Sequence, residues 1–176
     1  IGEMLAFKAS QVRKDLSYFG EIGKRGVGYH VEKLYRHIDG ILASPRKWPI
    51  ALIGVGRLGE ALLGHKAFKS PKFDIKALFD VNPEKVGRKI AGISCYHVDD
   101  ISDVMRKNGI EVVILTVPSS VAQECVDKIV QAGTVKGILN FSPLSIVAPD
   151  SVLIYSVDIS VELEKLLFYL KHREER

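Results

Sequence analysis

The 176 residues carry a net charge of +4 and are 47% hydrophobic, enough for one medium domain with a small module attached, which excludes wholesale disorder. No apolar run reaches the roughly 18 residues of a membrane span, and the opening IGEMLAFKAS lacks the basic flank and apolar stretch of a secretory signal, which argues against a membrane or secreted protein. Cys95 and Cys125 stand without metal-ligand spacing and read as reduced thiols of a cytoplasmic protein. The charge is uneven: residues 1–48 hold nine Lys/Arg against five Asp/Glu, and the remainder holds sixteen of each sign. A basic module joined to a neutral one suggests a polyanion partner for the first alone.

In chain order, Ile1–Phe7 reads as the end of a short helix. The chain opens on isoleucine rather than methionine, so a preceding piece is expected. Ser10 is a candidate N-cap, and Val12, Leu16 and Phe19 share one helical face. The opposite face carries Ser10, Lys14 and Ser17, flanked by Gln11, Arg13 and Tyr18. Gly20 ends the helix, and GEIGKRGVGYHV predicts two extended pieces around a tight turn bearing Lys24 and Arg25. A second amphipathic helix spans 31–42, with Leu34, Ile38, Ile41 and Leu42 inward. Residues 1–43 then form one domain and 44–49, rich in proline and basic residues, a linker.

From Ile50 the pattern changes. IALIGV is a continuous apolar run, as in a parallel strand buried on both faces. Helix 58–68, strand 73–79, a turn with Pro83 and a short helix follow, then strand 94–97, helix 99–107, strand 112–117, helix 120–132 and strand 137–141. The alternation predicts a Rossmann-type, doubly wound parallel sheet over 50–158. A last strand, VLIYSV, leads into a terminal helix over 159–176 with an apolar stripe of Ile159, Leu163, Leu166, Leu167 and Leu170.

GVGRLG (Gly54, Val55, Gly56, Arg57, Leu58, Gly59) follows a strand, opens a helix and precedes a second strand ending in Asp80, the context a dinucleotide fingerprint requires. Gly54 makes the turn, Gly56 admits the pyrophosphate, Gly59 lets helix and strand pack, and backbone N–H groups at the helix start hold the phosphates. Asp80 accepts from the ribose hydroxyls and repels a 2′-phosphate, so NAD(H) is favoured over NADP(H). Two further strand ends should meet the same crevice: TVPSS, with Val117 and Pro118, and NFSP, with Asn140, Phe141 and Ser142. Simple turn chemistry explains these two equally well.

An oxidoreductase needs a substrate domain and an acid–base group. About 35 residues follow Phe141, too few for such a domain, and Tyr96, His97 and Asp158 are the candidate proton carriers at strand ends. The sequence therefore argues against an enzyme, with an NAD-dependent oxidoreductase fragment kept as one alternative. A coenzyme A or other nucleotide sensor is another, since NPEKVGRKIAGI resembles coenzyme A-binding domains.

Several stretches in order — SQVRKDLSYFGEIGKRGVGYHVEKL, GVGRLGEALL, ALFDVNPEKVGRKIAG, CYHVDD, VPSSVAQE, GILNFSP and SVDISVELEKL — resemble the Rex family of redox-sensing transcriptional repressors. The resemblance implies an N-terminal winged helix-turn-helix, here without its first helix and part of its second, followed by the Rossmann domain. It implies a homodimer that exchanges its C-terminal dimerisation helices. Such proteins bind double-stranded operator DNA, repress respiratory and fermentative genes, and leave DNA when NADH replaces NAD+. Ser10, Gln11, Arg13, Lys14, Ser17 and Tyr18 would then belong to the recognition helix, and Lys24 and Arg25 to the wing. Asp158 matches a family aspartate that exchanges partners between an arginine, matched here by Arg13, and a tyrosine, matched by Tyr96.

Overall fold

The computed structural model describes residues 7–20, 23–24, 28–42, 46–69 and 71–174. The chain divides into two compact units, Ile1–Pro45 and Arg46–Arg176.

The first unit is helix α1 (Ala9–Ser17), a two-stranded antiparallel hairpin of β1 (Gly23–Lys24) and β2 (Gly28–Tyr29), and helix α2 (Val31–Leu42). The α1 N-cap is Lys8 rather than Ser10, with no side-chain cap, which places Ser10 inside the first turn. The helix gives out at Ser17, three residues before Gly20, which takes φ +108°. His37 Nε2 lies 2.7 Å from the Phe19 carbonyl and ties α2 to the end of α1. Leu34 is the one fully buried hydrophobic residue described in this unit, and Ile41, expected inward, is 45% exposed. The expected helix before Phe7 and the tip of the basic turn, with Arg25, lie outside the described residues.

The second unit is a seven-stranded sheet of β3 (Trp48–Ile53), β4 (Phe73–Asp80), β5 (Lys89–Ile90), β6 (Ile93–His97), β7 (Val112–Leu115), β8 (Gly137–Asn140) and β9 (Leu153–Ser156). The order is β5-β6-β4-β3-β7-β8-β9, parallel throughout except for the β5–β6 pair. Helices α3 (Arg57–Gly64), α4 (Ile101–Asn108) and α5 (Ser119–Gln131) are its crossovers, and α6 (Ile159–Glu174) follows β9.

The apolar run at 50–53 has a plain physical cause. Successive side chains of a strand point to opposite faces. Ala51 and Ile53 join a core layer with Phe79, Val113 and Leu115, roofed by Met105 of α4 and Val126 and Ile129 of α5. Ile50 and Leu52 join the other layer, with Leu78, Cys95 and Ile114, under Leu63 of α3.

Three expectations need correction. The strand begins at Trp48, two residues inside the expected linker. Pro49 is tolerated there because β7 pairs with β3 only from Ile50 onward, so no ladder donor is lost. No helix follows Pro83. Asn82 Oδ1 instead accepts from the Glu84 N–H at 2.9 Å, its carbonyl accepts from Lys85 and Val86, and Gly87 at φ +80° ends the turn. The chain then makes the β5–β6 hairpin, which the sequence reading missed. Its turn residues Ala91 and Gly92 both take positive φ, as a two-residue hairpin demands.

Candidate nucleotide-binding site

The glycine loop joins β3 to α3 at the carboxyl edge of the sheet, where β4 and β6 lie to one side of β3 and β7, β8 and β9 to the other. Ligands of open α/β sheets bind at this reversal of strand order. The three glycines differ in what surrounds them. Gly54 sits at φ +91°, and a β-carbon there would come within 2.7 Å of the Thr116 carbonyl oxygen. One at Gly59 would come within 2.3 Å of the Gly54 carbonyl oxygen. Both glycines are demanded by the chain's own packing. Gly56, the N-cap of α3, has no atom within 4 Å of that position, so nothing within the described residues requires it to be glycine. The space it leaves faces a helix N-terminus, where a phosphate is attracted by free N–H groups.

The loop is held from three sides. Thr116 Oγ1 lies 3.1 Å and 2.7 Å from the carbonyls of Ile53 and Gly54. The Val55 N–H donates to Asp80 Oδ2 at 2.8 Å, and the Asn82 N–H to Asp80 Oδ1 at 2.9 Å. Each carboxylate oxygen of Asp80 thus keeps lone-pair capacity for a further donor. The Lys85 ammonium donates to the Val55 carbonyl and, at 2.7 Å, to Glu60 Oε1. In the sequence Thr116 and Lys85 stand only as members of TVPSS and NPEKVGRKIAGI, because their hydrogen bonds leave no signal in residue spacing.

A cleft of about 420 Å³ runs from Gly54, Gly56 and Asp80 across Val81 and Val98 to Thr116, Val117, Pro118 and the α5 residues Val121 and Cys125. Ligand sites typically span ~300–1,000 Å³ and are mostly apolar with a few placed polar groups, as here. Burial pushes the Cys125 thiol up, so it lines the cleft as a neutral group. At one rim Lys128 pairs with Asp99 at 2.7 Å and Glu124 at 3.1 Å, and these hydrogen bonds raise its pKa. Among the described residues no cluster of His, Cys, Asp and Glu could hold a metal ion.

Of the expected site residues, Gly54, Gly56, Asp80, Val117 and Pro118 line this cleft, and Val55 is fully buried behind it. Arg57 and Leu58 begin α3 and are exposed. Asn140 turns inward. It is fully buried, its amide donates to the carbonyls of Ser142 and Leu144, and its oxygen accepts from the Ser142 N–H. It therefore clasps the NFSP loop. Phe141 packs on the α3-side core, and the buried Ser142 hydroxyl has no partner among the described residues.

Tyr96 is half-buried against Phe79, with ring centroids 5.9 Å apart. Asp158 caps α6: its Oδ1 accepts from the Ser160 hydroxyl at 2.6 Å and N–H at 2.9 Å, which holds its carboxyl below the usual range. Five strand spacings separate β6 from β9, about 4.8 Å each, so Tyr96 and Asp158 of one chain stand roughly 24 Å apart. In the first unit Ser10, Gln11, Arg13, Lys14, Ser17 and Tyr18 are all exposed. Gln11 bonds Asp15 and Ser17 bonds the Lys14 carbonyl, while Arg13 and Lys14 have no acid partner among the described residues. Every described side chain of α6 is exposed, including Leu163, Leu166, Leu167 and Phe168 at 53–58%. Among the described residues no helix is long and apolar enough to cross a membrane.

The sheet order, the glycine loop and the acid at the end of the second parallel strand define a Rossmann-like nucleotide-binding protein. Residues 45–144 match the family of CoA binding domains. A redox-sensing transcriptional repressor Rex 1 of Enterococcus faecalis is 45% identical over 175 residues, 99% of this chain and 81% of that protein. A redox-sensing transcriptional repressor Rex of Roseiflexus is 40% identical over 170 residues, 97% of this chain and 77% of its own length. The crystal structure of RSP in complex with beta-NAD+ and operator DNA aligns with a TM-score of 0.87 at 35% identity, covering 98% of this chain and 79% of that one. That of RSP in complex with beta-NADH gives 0.83 at 34%, covering 98% and 80%. The chain belongs to the Rex family of redox-sensing transcriptional repressors.

Proposed function

We propose that this protein is a cytoplasmic redox-sensing repressor that binds double-stranded operator DNA and releases it when NADH replaces NAD+. The observation that carries the reading is the cleft at the strand-order reversal, with Gly56 left open toward a helix N-terminus and Asp80 held by two backbone N–H groups. NAD(H) fits these residues: the N–H groups of Gly56, Arg57 and Leu58 hold the pyrophosphate, Asp80 accepts from the ribose hydroxyls, and the Val117–Pro118 turn borders the nicotinamide half. The dinucleotide supplies only its redox state, and the chain reads it. Asp80 also weighs against coenzyme A, the reading the domain match at residues 45–144 favours, because a ribose phosphate beside a carboxylate is repelled.

The first unit serves as the winged helix-turn-helix, with α1 in the major groove and the β1–β2 hairpin as the wing. The exposed Arg13 and Lys14 support this, since cations without acid partners are free for phosphates. The apolar, uncovered α6 supports a homodimer that exchanges these helices. On this reading Asp158 answers to Arg13 in one state and to the partner subunit's Tyr96 in the other, since its own Tyr96 lies out of reach.

Fluorescence titration of NADH, NADPH and coenzyme A, repeated with operator duplex present, tests the reading. NADH should bind tightest and NADH alone should release the DNA. Equal affinity for all three, or release by none, overturns it. Lys24→Ala and Arg25→Ala should weaken binding to all duplexes alike, each flattening the plot of log K against log salt by about one unit.

A further inference from the structure

Glu60 is the fourth residue of α3, its N–H bonded to the Gly56 carbonyl at 2.9 Å. Its carboxylate thus belongs to the first helical turn, beside the N–H groups that attract an anion. An acid at this position competes with a bound phosphate for that positive end and repels it. Lys85, arriving from the turn after β4, sits between this acid and the loop. Its ammonium bonds Glu60 at 2.7 Å and also bonds the Val55 carbonyl.

Val55 is in this way gripped by both of its own backbone groups, the N–H by Asp80 and the carbonyl by Lys85. Lys85 is not among the residues that line the cleft, and it meets the loop through the Val55 carbonyl. Its side chain is 25% exposed, and Glu60's is 53% exposed. The hydrogen bond to Glu60 raises the Lys85 pKa, with Asp80 adding to the effect, so the group stays an ammonium over the working pH range.

We propose that Lys85 is a positioning residue of the dinucleotide site, neutralising Glu60 so that the pyrophosphate meets an uncontested helix end. The inference rests on the dinucleotide reading above. Glu60 comes with the helix that carries the glycine loop, and Lys85 with the segment that follows Asp80. The pair therefore couples the phosphate-binding and ribose-binding halves of one site.

The test is NADH fluorescence titration of the full chain at low and moderate salt, with thermal melting to confirm that each variant is folded. Lys85→Met should weaken NADH binding about tenfold, as expected for one uncompensated charge near a phosphate. Lys85→Gln, which keeps a donor for the Val55 carbonyl but loses the charge, should show the same loss. Lys85→Arg should restore binding. Adding Glu60→Gln to Lys85→Met should recover most of the affinity, and added salt should shrink the loss in the single variant. If Lys85→Gln binds as wild type does, or if the double variant is as weak as Lys85→Met, the charge-neutralising role is overturned. If wild type itself fails to bind NADH, the dinucleotide reading falls, and this inference falls with it.

Discussion

On the face of the sheet covered by α4 and α5, Ala51, Ile53, Phe79, Val113 and Leu115 are fully sealed from solvent. On the opposite face, beyond the reach of α3, Leu153 and Tyr155 of β9 stand 74% and 68% exposed, and α6 follows with every described side chain exposed. One side of the unit is finished by its own chain, and the other is left open. Full burial of a large apolar side chain contributes about 1.5–3 kcal/mol. Ile159, Leu163, Leu166, Leu167, Phe168 and Leu170 therefore hold back on the order of 5–10 kcal/mol until something covers them. The contrast separates residues that the fold buries from apolar residues that it leaves uncovered.

Truncation from Glu162 onward tests this contrast most severely. The remaining chain should keep its melting transition but become monomeric by light scattering, with its NADH response impaired. A truncated chain that still dimerises, or that no longer folds, would erase the distinction between core and reserve.

Two glycines in one loop provide a sharper test. Gly59→Ala drives a methyl into the Gly54 carbonyl and should destabilise the protein by about 2–4 kcal/mol in denaturant unfolding. Gly56→Ala meets nothing within 4 Å, so it should melt like wild type yet bind NADH more weakly. Equal behaviour of the two variants would contradict a loop divided between packing and ligand.

Asp80→Ala should cost about 1.5–3 kcal/mol of NADH affinity and narrow the preference over NADPH, measured by parallel titration. Unchanged affinity for both would remove Asp80 from the site.

The smallest expected effect lies at the opposite, amino-terminal edge of the sheet, where Glu111 is bonded by Arg46 and, at 3.3 Å, by Lys136, and Arg46 stacks 4.4 Å from the Trp48 ring centre. Burial pushes the Glu111 carboxyl up, but the two cations outweigh it and leave it below its ordinary value. A depressed acid contributes stability above the unfolded value, about 4.3, and loses it as pH falls through the folded one. Glu111→Gln should therefore cost about 1 kcal/mol at neutral pH, and the gap in melting temperature should close below about pH 4.

Much of this arrangement was legible in the sequence. The parallel strands announced themselves because a strand buried on both faces leaves an unbroken apolar run, and α2 was bounded correctly by its 3.6-residue periodicity. The glycine loop and Asp80 were legible because their backbone roles exclude other residues or demand a carboxylate. The β5–β6 hairpin was hidden because Ala91 occupies a positive-φ position that usually carries Gly, Asn or Asp. Asn140 was read as facing a ligand because a polar residue at a strand end carries no mark of inward direction. Lys85 and Thr116 act through bonds to backbone carbonyls more than twenty residues away, which no local pattern encodes.

The order of β9 and α6 along the chain also bears on synthesis. No described core residue waits for α6, so the ribosome can deliver a sheet that folds by first-order steps before that helix emerges. If chains pair through α6, as proposed above, pairing is then a separate, second-order event whose rate depends on how many finished chains are present. A cell making few copies would then accumulate folded but solitary chains with the oily side chains of α6 bare, and these would be the species that chaperones and proteases meet first.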